Sequence, residues 1–213
     1  DYYVQLHGTT GTKDKLTHAG IYGIDTSIAT INDLLDTKID YFVRLNFSTL
    51  TKSIDLLDGI DVYSDRTFTP WTNKKIVIQK GMNHMDGETA LAFARERHAY
   101  ESGDRHRGEN QQAIITAMIN KMTDANYITK YKDILTSLDG SFETSMRYEE
   151  MTNLFKLQIN NNIKWNITSI SLDGVGSMQK TYSMGDRNLY VMIPDENTIN
   201  TAKESINNVL NGK

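Results

Sequence analysis

The hydrophobic period of this chain changes repeatedly between two and about 3.6 residues, and that alternation limits its fold more than any other feature. Tyr2, Tyr3, Val4 and Leu6 open it in strand fashion, before a polar loop at 8–15 (GTTGTKDK). That loop lacks the Gly-Lys-Ser/Thr ending of a nucleotide P-loop and reads as a connector. Ile24, Ile28, Ile31, Leu34 and Leu35 then form a helical stripe, with Asp25 or Thr26 available as cap. YFVRLNF (41–47) is rich in strand formers. Ser48 is placed to cap a short helix with Leu50, Ile54 and Leu57 inward; Gly59 stops it, and Ile60 and Val62 begin another strand.

The stretch 63–75 reads as loop, with Pro70 and Trp71, and KIVIQ (75–79) as strand. Residues 81–87 are expected to turn into a helix capped by Asp86. Further helices are expected near 104–122, 127–138 and 146–159, then strands at 165–172 (WNITSISL) and 189–193 (LYVMI). Ile199, Ala202, Ile206 and Val209 mark a closing helix. Such a rhythm belongs to an α/β layer structure, not to a sandwich or a bundle. With no repeat or linker, residues 1–213 read as one domain.

Composition narrows the function classes. Apolar residues make up 38% of the 213, enough for a sizeable core and too many for a disordered chain. The net charge of −4 gives no overall field for nucleic acid or anionic lipid, so either would need a local basic patch. Cysteine is absent, which removes disulfides, thiolate zinc sites and cysteine nucleophiles together. The five histidines show no H-x-x-x-H or H-E-x-x-H spacing, and no G-x-S-x-G is present. No run approaches the length of a membrane span.

Chemistry concentrates at 95–112, RERHAYESGDRHRGENQQ. Arg95, Arg97, Arg105 and Arg107 crowd together there, among Glu96, Glu101 and Asp104. On a helix starting near residue 104, Asp104, Arg107 and Gln111 share a stripe with Ile115 and Met118, within about 80°. Charges aimed inward are costly unless paired, so this arrangement means a paired network or a ligand site. Arg95 and Arg97, two residues apart, lie on one side if the chain is extended. Three guanidiniums near a helix N-terminus suit a multiply charged phosphate, each offering parallel hydrogen bonds. Spacing alone supports an anion site and a structural ion-pair network equally.

HMDGETALAFARERHAYESGDRHRGENQQ resembles the signature of the LytR-CpsA-Psr family, a D/S-G/S-E-x-A-L-x-x-x-R-x-R run followed by G-D-x-x-R-x-x-x-Q-Q. DKLTHAGIYGIDTSI and KIDYFVRLNFSTLTKSIDLLDGIDV are also similar to the family's middle section, closest to its streptococcal capsule members. The resemblance covers nearly the whole chain. It implies an α/β fold with a central mixed β-sheet flanked by helices, here without its N-terminal strands, so that 1–213 is a catalytic domain incomplete at its N-terminus.

It further implies an enzyme at the extracytoplasmic face of the membrane, held by an N-terminal anchor outside this chain. Such an enzyme moves capsular polysaccharide or another glycopolymer from a polyprenyl-pyrophosphate carrier to peptidoglycan, forming a phosphodiester with magnesium. Carried over residue by residue, Arg95, Arg97 and Arg107 hold the pyrophosphate and Gln111 is a polar phosphate contact. Asp104, Arg97 and Arg107 are the catalytic candidates, with Asp104 as base or as the ion-pair partner of Arg107 or Arg97. The lipid tail lies in an apolar cleft between sheet and helices. The magnesium-binding aspartates and two further arginines are expected upstream of Asp1, which matches the aspartate of a Pro-Arg-Asp turn. A piece lacking them is expected to be inactive alone.

Two rivals stay in view. A non-catalytic polyprenyl-phosphate binding module regulating capsule assembly would need the same arginines. A transcription regulator fits poorly with the acidic net charge and the lack of a recognisable DNA-reading helix, so no nucleic-acid partner is expected.

Overall fold

The computed structural model describes residues 1–101, 103–128, 131–138 and 140–212; the side chains of residues 104, 125, 126 and 131 also lie outside the described set. Along the chain run β1 (Tyr3–Val4), β2 (Asp14–Lys15), α1 (Ile24–Leu35), β3 (Val43–Leu45), α2 (Phe47–Leu56), β4 (Ile60–Ser64), β5 (Gly81–Met85) and α3 (Gly87–Ala94). Then follow α4 (Gly103–Thr123), α5 (Ala125–Ile128), α6 (Tyr131–Ser137), β6 (Phe142–Thr144), α7 (Tyr148–Asn161), β7 (Gly174–Thr181), β8 (Gly185–Pro194) and α8 (Glu196–Leu210). The class is α/β. Its described strands form antiparallel pairs, β1–β2, β3–β6, β4–β5 and β7–β8, with a parallel bridge from Tyr2 to Met192.

The elements gather into two compact units, residues 1–40 with 170–213 and residues 41–169. In the first, Val4, Leu6 and Ala19 are buried, with Tyr2, Leu16 and Leu34 packed against them. In the second, Ile54, Ile60, Val62, Met85, Phe93 and Ile114 bring α2, β4, β5, α3 and α4 to one core. Strand β4 alternates buried Ile60, Val62 and Ser64 with exposed Asp61 and Tyr63, the two-residue period of a half-covered sheet. Among the described residues no helix is long and apolar enough to cross a membrane.

Several expected elements move. Ile78 makes only an isolated bridge with Phe68, while the strand lies at β5, where a turn into a helix was expected. The ladder with β4 decides this, because it sets Met85 opposite Ile60 in the core. Residues 163–173 form no strand; β8 pairs instead with β7, whose glycine-rich sequence carries little strand signal. Asn46, not Ser48, caps α2, accepting the Thr49 N–H at 2.8 Å. Gly23 precedes α1 without a side-chain cap. The helix expected at 127–138 is described as α5 and α6.

Candidate functional site

The second unit builds the site, and α3 starts it. Asp86 accepts the Thr89 N–H at 2.8 Å, and this bond, with the Thr89 side chain, holds the Asp86 carboxyl below its ordinary range. Ala90, Phe93 and Ala94 bury one face of α3, which ends at Arg95. Its last carbonyls meet α4: Asn110 Nδ2 donates to Phe93 O at 3.0 Å and Gln111 Nε2 to Ala94 O at 3.4 Å. Helix C-termini leave carbonyls unsatisfied, and two neighbouring amides from α4 satisfy them here. The arginine turn is thus joined to α4 at its root.

Glu96 organises the turn itself. It is 1% exposed, between Arg95 and Arg97. Its Oε1 accepts the N–H groups of Arg97 at 2.9 Å, His98, and Ala99 at 3.0 Å; its Oε2 accepts Trp71 N–H at 2.6 Å. Burial pushes the pKa of this carboxyl up, but the donors of Trp71, His98, Ala99 and Arg97 outweigh it, and the group sits below its usual value. The inward charge at 95–97 is therefore a carboxylate that curls the backbone, and both neighbouring arginines are left exposed. Gly103 lets α4 approach: a Cβ there would stand 3.0 Å from Arg97 O.

The arginines divide accordingly. The Arg95 guanidinium lies 5.0 Å above the ring of Phe47, at the first turn of α2. On α4, Arg107 is half-buried with its Nε withdrawn from solvent. Arg105 is 57% exposed and pairs with Glu109 at 3.8 Å, one turn on. The stripe facing the core is Arg107, Asn110, Ile114 and Met118. Here the wheel drawn from sequence needs correction, since Ile115 is 56% exposed and Gln111 lies at the stripe's edge, bonded to α3. The hydrogen bond from buried Asn110 to Phe93 O fixes the rotation of α4 about its axis, so the core face centres on Asn110 and Ile114 and not on Gln111 and Ile115. The Asp104 side chain lies outside the described residues.

Beside this turn an apolar cavity of about 510 Å³ opens between β3, α2, α4, α6 and α7. Leu45, Leu57, Met118, Met122, Leu135 and Phe155 are among its walls, with Thr49 and Ser53 as small polar points. Phe47, which in the chain lies between the wall residues Leu45 and Thr49, carries Arg95 on its ring, so the arginine turn contacts the segment that forms one cavity wall. Phe93 belongs to the buried core, while Met118 and Met122 line the cavity. Glu96, Asn110, Phe47 and Trp71 were not singled out from sequence. Of these Glu96 and Asn110 belong to the charged stretch at 95–112, and nothing local to the chain marks the Glu96 carboxylate as the inward one.

In the other unit Asp14, His18 and Ser183 meet. His18 turns the same nitrogen, Nδ1, to Asp14 Oδ1 at 2.7 Å and to Ser183 Oγ at 2.9 Å. A nucleophile relay needs both ring nitrogens. Buried Asp14 instead accepts the Lys15 and Ser183 N–H groups and fastens two chain segments.

The described site thus sets exposed and half-buried guanidiniums in the same unit as an apolar cavity. The chain belongs to the LytR_cpsA_psr family, whose model matches residues 1–207. It is 30% identical over 212 residues to the polyisoprenyl-teichoic acid–peptidoglycan teichoic acid transferase TagU of Bacillus mycoides, covering 99% of this chain and 64% of that protein. It thus spans a little under two thirds of the relative. Among solved structures, TagV of B. subtilis superposes with a TM-score of 0.79 at 29% identity over 97% of this chain and 78% of that one. TagT bound to LIIa-WTA gives 0.79 at 26% identity over 98% and 75%.

Proposed function

We propose that this chain is the carrier-binding part of a transferase that moves a glycopolymer, capsular polysaccharide or a related polymer, from a polyprenyl-pyrophosphate carrier to peptidoglycan. The observation that carries this reading is the seat of Arg95 on Phe47, which joins a cationic turn to the apolar cavity. The prenyl tail fills the cavity, and Arg95, Arg97 and Arg107 face the pyrophosphate, with Gln111 at its edge. The transferase names of the relatives support the same reaction class.

In the reaction, an acceptor sugar hydroxyl attacks the phosphorus that bears the polymer. The new P–O bond forms as the bridging P–O bond breaks, and polyprenyl monophosphate leaves. Guanidiniums neutralise the charge that gathers on the leaving phosphate, the electrostatic part of phosphoryl transfer. Asp104 takes the hydroxyl proton in this scheme. Magnesium is the cofactor the family resemblance implies. Among the described residues no group of three His, Cys, Asp or Glu is placed to hold a metal, and no step is routed through the ion. The complete protein acts at the extracytoplasmic face of the membrane, with peptidoglycan as acceptor.

The test is Arg97→Ala in the complete protein, followed by the amount of polymer bound to the wall. Loss of attachment is expected, and unchanged attachment overturns the assignment. Binding of polyprenyl pyrophosphate by the complete protein without release of lipid phosphate would instead favour a lipid-presenting module.

A further inference from the structure

We propose that Trp71 is a stacking platform for the first sugar of the carrier-linked polymer, at the end of the arginine turn away from the lipid cavity. This rests on the carrier-binding reading above. A glycosylated polyprenyl pyrophosphate has a fixed linear order of apolar tail, two phosphates and sugar. The turn carries its groups in the same order along the chain. At one end Arg95 lies over Phe47, beside the cavity. At the other, the ring of His98 lies 4.7 Å from the ring of Trp71, and Arg97 precedes His98 in the chain.

A single exposed aromatic is ordinary on a protein surface. Three features set Trp71 apart. Its indole is 62% exposed, although it stands beside a cluster that draws a charged ligand. Its backbone is pinned, because its N–H donates to buried Glu96, the same carboxylate that shapes the arginine turn, and the preceding Pro70 is buried. The platform and the arginines therefore keep a fixed spacing. Its ring is also backed by the His98 imidazole, and Lys74 Nζ lies 4.6 Å over it. An indole face is electron-rich and attracts positively polarised groups, as it does this ammonium. The C–H groups of a pyranose face carry the same weak polarity. A sugar seated there takes the place of the Lys74 ammonium and leaves it beside the ring hydroxyls. Trp71 loses little side-chain freedom on binding, which suits a rigid platform.

The experiment is calorimetric titration with two probes, geranylgeranyl pyrophosphate and its N-acetylglucosaminyl ester, against the unaltered chain, Trp71→Ala and Trp71→Phe. The glycosylated probe is expected to bind the unaltered chain about 3- to 10-fold more tightly than the bare one, the range of one aromatic stack. Trp71→Ala should erase that preference and leave the bare probe within about twofold, and Trp71→Phe should keep part of it. A preference that survives Trp71→Ala overturns the proposal. Equal loss of both probes also overturns it, because Trp71 would then shape the turn and not read the sugar. If neither probe binds the unaltered chain, the carrier-binding reading itself falls, and the platform with it.

Discussion

Trp71 and Glu96, 25 residues apart, are joined by a 2.6 Å hydrogen bond from a backbone N–H to a carboxylate that is 1% exposed. The bond ties the loop after β4 to the turn after α3, so two surface segments move as one. Four backbone donors converge on that carboxylate.

Glu96→Gln is therefore expected to destabilise the fold by about 1.5–3 kcal/mol, because the amide turns a donor toward backbone N–H groups. Chemical denaturation measures it. The folded carboxyl titrates below its ordinary 4.5, so between those two values the unfolded chain binds the extra proton. Its stabilisation is present above about pH 4.5 and is lost as pH falls through the folded pKa. The variant should lack that part of the acid limb; an unaltered acid limb would show that Glu96 is not its source.

Arg107→Ala should weaken polyprenyl-pyrophosphate binding by about 1.5–3 kcal/mol, the scale of a charge-assisted contact in a partly buried site. Arg105→Ala should cost less than about 1 kcal/mol, since its guanidinium is solvated and paired with Glu109. Equal losses in a titration would mean that the two arginines face the ligand alike.

Met122→Trp puts a bulky indole into the cavity. Affinity for a long polyprenyl pyrophosphate should fall by about tenfold or more, as apolar burial is lost. Binding of inorganic pyrophosphate, which needs no cavity, should not change. A variant that binds the long lipid normally would place the tail elsewhere.

Gly87→Ala tests the contact between α2 and α3. An added Cβ would stand 2.3 Å from the carbonyl oxygen of Thr51, and the Gly87 N–H already donates to Asp55 at 2.7 Å. Forced separation of the helices should cost about 1–3 kcal/mol. A wild-type unfolding midpoint would contradict this packing.

Tyr100 should ionise late for a tyrosine. Burial, then its 2.8 Å hydrogen bond to Asp65, pushes its phenol up to about 12. Its contribution to stability is intact below about pH 10 and declines as pH rises toward 12. Ultraviolet difference titration should show one late step that is missing in Tyr100→Phe.

The residues by themselves determined a good deal of this protein. The Asp86 cap, the helix through Arg107 and the closing helix were legible, because capping and a 3.6-residue apolar period are local properties of the chain. So was the crowding of Arg95, Arg97 and Arg107, which needs only a count along eighteen positions. Tertiary structure decided the rest. GMNHM is a strand because β4 lies beside it, and WNITSISL is not one although its residues favour strands. Glu96 reads as one more surface charge until the loop carrying Trp71 closes over it and supplies the fourth donor. The cavity gathers walls from β3 to α7, residues more than a hundred positions apart. Caps and helical stripes draw on neighbours within a turn or two, whereas a ladder partner, a buried carboxylate and a cavity each need a surface that chain order does not specify.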